Sequence, residues 1–206
     1  MATGKPLTSM ADDTAIQRTV ASLKSRNIDA LVVESGDAAR EKLIELMPEG
    51  AELFKGTSET LDSIGYSDYA RQTNRYKYLN GVIAAETDPA KQRELRRMAS
   101  VAEYYVGSVH AVAETGEVVI ASGSGSQLGA YAYGAKQVIW VVGTQKICPT
   151  LEDAIARVRG FSLAMHDRWL VEHGRSASPL GKLLVFENEQ NPGRVQMIMI
   201  KQNVGW

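Results

Sequence analysis

One cysteine, Cys148, stands in 206 residues. That excludes an internal disulfide, and it excludes any iron–sulfur cluster held by four thiolates of this chain. Histidine is scarce as well: His110, His166 and His173 are too few and too scattered for a zinc signature, so no metal site is expected. Neither sign of charge is in excess. Lys and Arg number 23 against 24 Asp and Glu, a net charge of −1, which gives no global attraction for nucleic acid or for an anionic membrane. No apolar run reaches the roughly 18 residues of a membrane span. The opening residues also lack the hydrophobic region of a signal peptide. A soluble, cytoplasmic protein is expected, with no nucleic acid and no membrane among its partners.

What is present is ordinary globular composition, 44% hydrophobic and 23% charged. At about 150 residues per domain this length gives one domain, or one with an appendage. Residues 1–27 read as an N-terminal helical extension: Ser9 and Asp12 have capping-box spacing, and Ile16, Val20 and Leu23 fall on one helical face. A short apolar strand at 30–33 follows, then a helix opened by Ser35-Gly36 and stopped by Pro48 and Gly50. Residues 51–54 read as a second strand. Residues 66–98 are polar and helix-prone, with Asp88-Pro89 as a helix start, and 102–106 return to the sheet.

Residues 111–121 read as two apolar pieces around a tight turn at Glu114-Thr115-Gly116. Residues 137–142 are a continuous apolar run, the pattern of a strand buried on both faces. Thr150 and Asp153 cap a long helix whose stripe runs from Leu151 to Trp169. Residues 182–187 and 195–202, with a turn at Asn191-Pro-Gly-Arg194, predict a C-terminal β-hairpin. Strands and helices alternate through 28–206, so the expected fold is α/β, a single domain with a largely parallel sheet flanked by helices.

Three constellations can carry chemistry. Gly123, Gly125 and Gly129, with Ser124, Ser126 and Gln127 among them, form a glycine-rich loop between a strand and a helix. Such a loop can receive an anion on its amides; it can equally be a turn that needs positive φ. Its spacing misses the dinucleotide pattern at Leu128, and it lacks the P-loop lysine. The Glu114 turn offers a carboxylate for nucleophilic or general-base work, with Thr115 and Gly116 beside it, or is a solvated hairpin turn. Gly56, Ser58 and Thr60 lie where a strand meets a helix and can hold an anion or cap the helix. His110 is the histidine nearest these segments. Cys148 reads as a packing residue, and Lys91, Arg93, Arg96 and Arg97 as a solvated helix face.

The stretches Ala111-Val-Ala-Glu-Thr-Gly-Glu-Val-Val, Ser122-Gly-Ser-Gly-Ser-Gln127, Val138-Ile-Trp-Val-Val-Gly-Thr-Gln-Lys-Ile147 and Leu151-Glu-Asp-Ala-Ile resemble the LUD domain, the family of lactate utilisation protein C and its stand-alone relatives. Ser58, Thr60, Leu61 and Gly65 meet a further pattern of that family, and Pro192-Gly-Arg-Val with Asn203-Val-Gly-Trp206 resembles its ending. The resemblance covers residues 28–206. It implies the fold of the ribose-5-phosphate isomerase and CoA-transferase superfamily. It also implies a part in oxidising L-lactate or a related organic acid to pyruvate in bacteria, as a binding or accessory subunit beside iron–sulfur partner proteins. Where many stand-alone relatives carry Asp-Gly-Thr-Gly-Asn-Arg, this chain carries Ser122-Gly-Ser-Gly-Ser-Gln127, so its ligand can differ. The superfamily implies an alternative: a CoA-transferase or sugar-phosphate-isomerase type enzyme. There Glu114 would be the nucleophile, the loop at 123–129 would stabilise an oxyanion, and a small anionic or CoA-like molecule would be the ligand. Whether the chain is an enzyme, which cofactor it uses and whether it forms a homo-oligomer stay open at this point.

Overall fold

The structure is a computed structural model and describes residues 8–177 and 179–206. The elements in chain order begin with α1 (Asp13–Ser25), β1 (Ile28–Val33), α2 (Gly36–Leu46) and β2 (Glu52–Lys55). Then come α3 (Glu59–Ser63), α4 (Tyr66–Gln72), β3 (Lys77–Tyr78), α5 (Leu79–Ala85), α6 (Pro89–Met98) and β4 (Tyr104–Gly107). The middle holds β5 (Ala111–Ala113), β6 (Val118–Ser122), α7 (Ser126–Gly129), β7 (Gln137–Gly143) and β8 (Ile147–Cys148). The chain closes with α8 (Leu151–Arg157), α9 (Leu163–Glu172), β9 (Lys182–Phe186) and β10 (Val195–Ile200). Local chemistry explains the boundaries. Asp12, Ser35, Ser58 and Thr150 each accept a backbone N–H at a helix start, and Asp88 caps α6 ahead of Pro89.

Six strands form a wholly parallel sheet in the order β1-β10-β7-β4-β2-β3. The run at 137–142 lies near its middle, flanked on both sides, which is why it carries no polar alternation. Its side chains still alternate between two cores. Val138, Trp140 and Val142 face one cluster with Val195, Met197 and Met199, whereas Ile139 and Val141 face the other with Ile198 and Ile200. The second cluster is covered by α2, α3 and α4 through Ala39, Leu43, Leu61 and Tyr66. The first is covered by α1, through Ala15, Ile16 and Leu23, and by a smaller sheet of order β8-β5-β6-β9. Ala154 and Val158 of the following helix pack on the outer side of that smaller sheet, against Ala111 and Val119.

The expected α/β fold with a largely parallel sheet is present; the second sheet was not foreseen. It changes the predicted C-terminal hairpin. The chain does reverse between β9 and β10, but the two strands pair in different sheets. β9 runs antiparallel to β6, from Val118 against Phe186 to Ser122 against Lys182, while β10 lies parallel between β1 and β7. The long helix after Thr150 is interrupted at 158–162 by a wider turn, where α8 passes into α9.

A buried ion pair fixes the start of β10. Arg194 pairs with Glu189 at 2.5 Å and donates to the carbonyls of Ala130, Tyr131 and Ala135 at 3.0, 2.9 and 3.1 Å. Replacing Arg194 by Met leaves Glu189 charged without its counterion, and it removes the guanidinium donors from three carbonyls. A loss of about 3–5 kcal/mol is expected from breaking one side of a buried pair, read from urea denaturation. A change within about 0.5 kcal/mol, the range of an ordinary surface substitution, would remove the pair from this structural role.

Candidate functional site

The carboxyl ends of β2, β4 and β7 open onto one cavity of about 740 Å³. This is the edge at which open α/β sheets receive their ligands. Phe54, Lys55 and residues 56–60 enter it after β2, Ser108, Val109 and His110 after β4, and Lys146 after β7. The end of β6 brings Ser122 and the glycine-rich loop, and α9 brings His166 and Trp169. Among the described residues, four cations (Lys55, Arg96, Lys146, Arg175) line it against two carboxylates, Glu59 and Asp62. The cavity therefore favours an anion.

Lys146 is its most unusual member. The side chain is 2% exposed, and Nζ donates to Thr60 Oγ1 at 3.0 Å, Ser108 Oγ at 3.2 Å and the Val109 carbonyl at 3.2 Å. All three acceptors are neutral, and among the described residues no carboxylate lies within ion-pair distance of Nζ. Burial, reinforced by the Arg157 guanidinium, pushes its pKa from 10.5 down to about 7. Lys55 is also pushed down by burial, but Asp62, 3.7 Å away, opposes that shift.

His110 is held neutral beside it. Burial first, then Lys146 and Arg157, push the imidazole from 6.5 down to about 3. The Ala121 N–H reaches its Nδ1 at 3.2 Å, so the ring proton resides on Nε2. Arg157 binds the His110 carbonyl at 3.0 Å and Ser162 Oγ at 2.8 Å. Ser108 is set from the core side. Tyr131 donates to its carbonyl at 3.3 Å by passing directly over Gly107, where a Cβ would lie 1.8 Å from the phenol oxygen. Only glycine allows that crossing.

The structure brings Gly56, Ser58, Thr60, His110, Gly123, Ser124, Ser126 and Gln127 to the cavity. Ser58 also caps α3, its Oγ accepting the Leu61 N–H at 3.3 Å. In the glycine-rich loop, Gly125 adopts φ +87° and its N–H goes to Ser122 Oγ at 2.8 Å, while Gln127 Nε2 returns to the Ala121 carbonyl at 3.2 Å. Much of this loop's hydrogen bonding is thus spent within itself. Glu114, Thr115 and Gly116 are not brought to the cavity. β5 is three residues long, with His110 before it and Glu114 after it, so the turn lies at the opposite end of the β5–β6 pair from the glycine loop. There Glu114 pairs with Arg18 at 2.7 Å and the Thr115 carbonyl accepts from Arg26 at 2.9 Å. A site shared by Glu114 and the loop at 123–129 is corrected accordingly: the two belong to different ends of the small sheet.

Sequence reasoning missed Lys146, Ser108, Tyr131, Lys55 and His166 as site residues. One signal for Lys146 was present: a cation between the apolar run at 137–142 and Ile147-Cys148, in a segment with no room for a solvated side chain. The parallel register that places it against Thr60 and Ser108, 86 and 38 residues away, leaves no trace in local spacing.

The Lys146 shift has a signed consequence for stability. Between about pH 7 and 10.5 the unfolded chain holds a proton at this position that the folded chain has released. Folding stability from this group therefore rises with pH across that window, and the burial penalty is complete below it. Lys146→Met is expected to stabilise the protein most at pH 7 and below, with the advantage shrinking toward pH 10. Thermal denaturation of both proteins from pH 6 to 10 checks it, and an advantage independent of pH would contradict an uncompensated buried amine.

The chain is similar to the crystal structure of a DUF162 family protein from Deinococcus radiodurans, at 12% identity and a TM-score of 0.56, over 93% of this chain and 99% of that one. At that identity the likeness shows the fold. No curated protein matches the sequence. The model of the LUD domain matches residues 16–170, well over half the chain, and this protein belongs to the LUD domain family.

Proposed function

We propose that the protein serves the utilisation of lactate or a related organic acid by binding a small carboxylate anion in the cavity around Lys146. Membership of the LUD domain family supports a role related to lactate utilisation in general. The observation that carries the finer reading is the buried ammonium of Lys146, which faces a cavity with more cations than carboxylates and has only neutral acceptors of its own. A buried charge without a counterion is costly, and an anionic ligand would remove that cost on binding. The Ser108 hydroxyl stands beside the amine as a further donor for the ligand's oxygens.

In this reading the chain is a binding or accessory subunit, and the oxidation is carried out with iron–sulfur partner proteins, since its one cysteine cannot hold a cluster of the common four-thiolate kind. The CoA-transferase alternative with Glu114 as nucleophile draws no support from the geometry, because Glu114 is engaged by Arg18 away from the cavity.

A thermal-shift series with lactate, pyruvate, acetate, inorganic phosphate and CoA tests the reading. A ligand at 100 times its Kd adds about 2.7 kcal/mol, which at this size raises Tm by several degrees. Lactate or pyruvate is expected to produce that shift in the parent protein and to lose it in Lys146→Met. A response to phosphate or CoA but to no carboxylate, or one unchanged by Lys146→Met, would overturn the assignment.

A further inference from the structure

We infer that Lys146 is also a nucleophile, and that the cavity holds an anionic carbonyl compound of the 2-oxo acid class as an imine on its Nζ. This rests on the organic-acid reading of the cavity and goes one step further, from an anchored anion to a covalent bond.

The geometry separates this amine from the other cations in the cavity. Lys55 has Asp62 at 3.7 Å to keep it charged. Lys146 has two hydroxyls and one carbonyl, and the charge that acts on it is that of another cation, Arg157. A lysine whose sole task is to grip an anion gains from staying protonated, and a neighbouring carboxylate secures that. Here burial and Arg157 act in the other direction, so neutral amine is well populated near pH 7. Desolvation beside a second cation is one of the ways an amine is activated for carbonyl chemistry. Tyr105 and Tyr131, both buried, line the cavity as well.

The step balances with groups at hand. The lone pair of neutral Nζ attacks the carbonyl carbon; the N–C bond forms as the C=O π bond breaks, and a proton passes from nitrogen to the new alkoxide to give a carbinolamine. A second proton, delivered from solvent through Ser108 Oγ, lets that oxygen leave as water while the nitrogen lone pair forms C=N and leaves an iminium. One water is released and no oxidant or reductant is consumed. Ser108 Oγ and Thr60 Oγ1 are 3.2 Å apart and both touch Nζ, so the proton can move between nitrogen and oxygen through a hydroxyl. His110, neutral and with its proton on Nε2, lines the same cavity without adding positive charge. The carboxylate of a 2-oxo acid then pairs with the iminium it has helped to form, and Lys55 supplies a second cation to the same cavity.

The test is reductive trapping on the full chain. The protein is incubated with pyruvate and sodium cyanoborohydride, and intact mass and peptide mapping are read. The expected product is a mass increase of pyruvate plus two hydrogens less one water, on the peptide holding Lys146. It should form faster there than at any exposed lysine, be slowed by lactate, which has no carbonyl, and be absent at that position in Lys146→Arg. The trapping rate should rise as pH is taken from 6 to 8. Mapping within the parent protein keeps the test decisive even if the variant folds poorly. A pyruvate-dependent rise in Tm that lactate competes, without an adduct at Lys146, would overturn the imine and leave the organic-acid reading standing. No rise in Tm and no adduct would overturn both. Adduct formation at Lys146 with propanal or ribose 5-phosphate in preference to pyruvate would keep the nucleophile and overturn the 2-oxo acid class.

Discussion

The last strand of the chain is threaded inside its main sheet, second from one edge, and the first strand and both cores depend on that placement. β10 lies parallel between β1, the first strand, and β7, so β1 joins the sheet only once residues 195–200 are in position. Both cores need it as well: Val195, Met197 and Met199 complete one face, Ile198 and Ile200 the other. Pairing across such sequence separations carries a loop-closure cost before any contact repays it. The Arg194–Glu189 pair sits where that cost is met, tying the entry of β10 to the carbonyls of residues 130, 131 and 135. Beyond the strand, Gln145 binds the carbonyls of Val204 and Gly205 at 2.9 and 3.2 Å, and Trp206 reaches the cavity.

The site contrasts with the entry of β10, where the buried charges of Arg194 and Glu189 are each other's counterion. Around the cavity Lys146 has neutral acceptors, and His110 is forced to stay neutral between two cations. Structure that stores such a penalty must be held by rigid surroundings. The surroundings here are a file of edge-to-face rings, Phe54, Tyr105, Tyr131, Trp140 and Phe186, with successive centroids 5.2, 5.1, 5.5 and 5.3 Å apart, running from the cavity into the core between the two sheets.

What the sequence made legible was local. The unbroken run at 137–142 announced a strand covered on both faces, and Asp88-Pro89, Ser35-Gly36 and Thr150-x-x-Asp153 announced helix starts, because capping is decided within three residues. The fold class followed from the order of those elements. Three things were not legible, each for a reason of distance. β9 and β10 look like partners across a turn, and nothing in their spacing says that they enter different sheets. Glu114 and the glycine loop look like neighbours, but a strand of three residues stands between Glu114 and His110 and sends the turn the other way. Thr60, Ser108 and Lys146 follow different strands, and only the register of the parallel sheet brings them together. Serine and glycine residues, rich in local meaning, drew attention to the loop at 122–129; the deeper chemistry sits on a lysine whose neighbours are far away in sequence.

The two hydroxyls on Lys146 are not equivalent, and the difference bears on how the amine changes charge. The Thr60 hydroxyl donates to the Val204 carbonyl at 3.3 Å, so its proton is committed and its oxygen can only accept from Nζ. The Val109 carbonyl is an acceptor in any state. Ser108 Oγ, by contrast, points at Thr60 Oγ1 at 3.2 Å and at the Val109 carbonyl at 3.4 Å, both already served by other donors. When Nζ is an ammonium, Ser108 accepts from it; when Nζ is a free amine, the same hydroxyl can turn its proton toward the exposed lone pair at little cost. The state of the amine thus rests on one rotor, and the backbone of that rotor is fixed by Tyr131 crossing Gly107 to reach the Ser108 carbonyl. The ring file in the core and the proton on Lys146 are, through Ser108, parts of one arrangement.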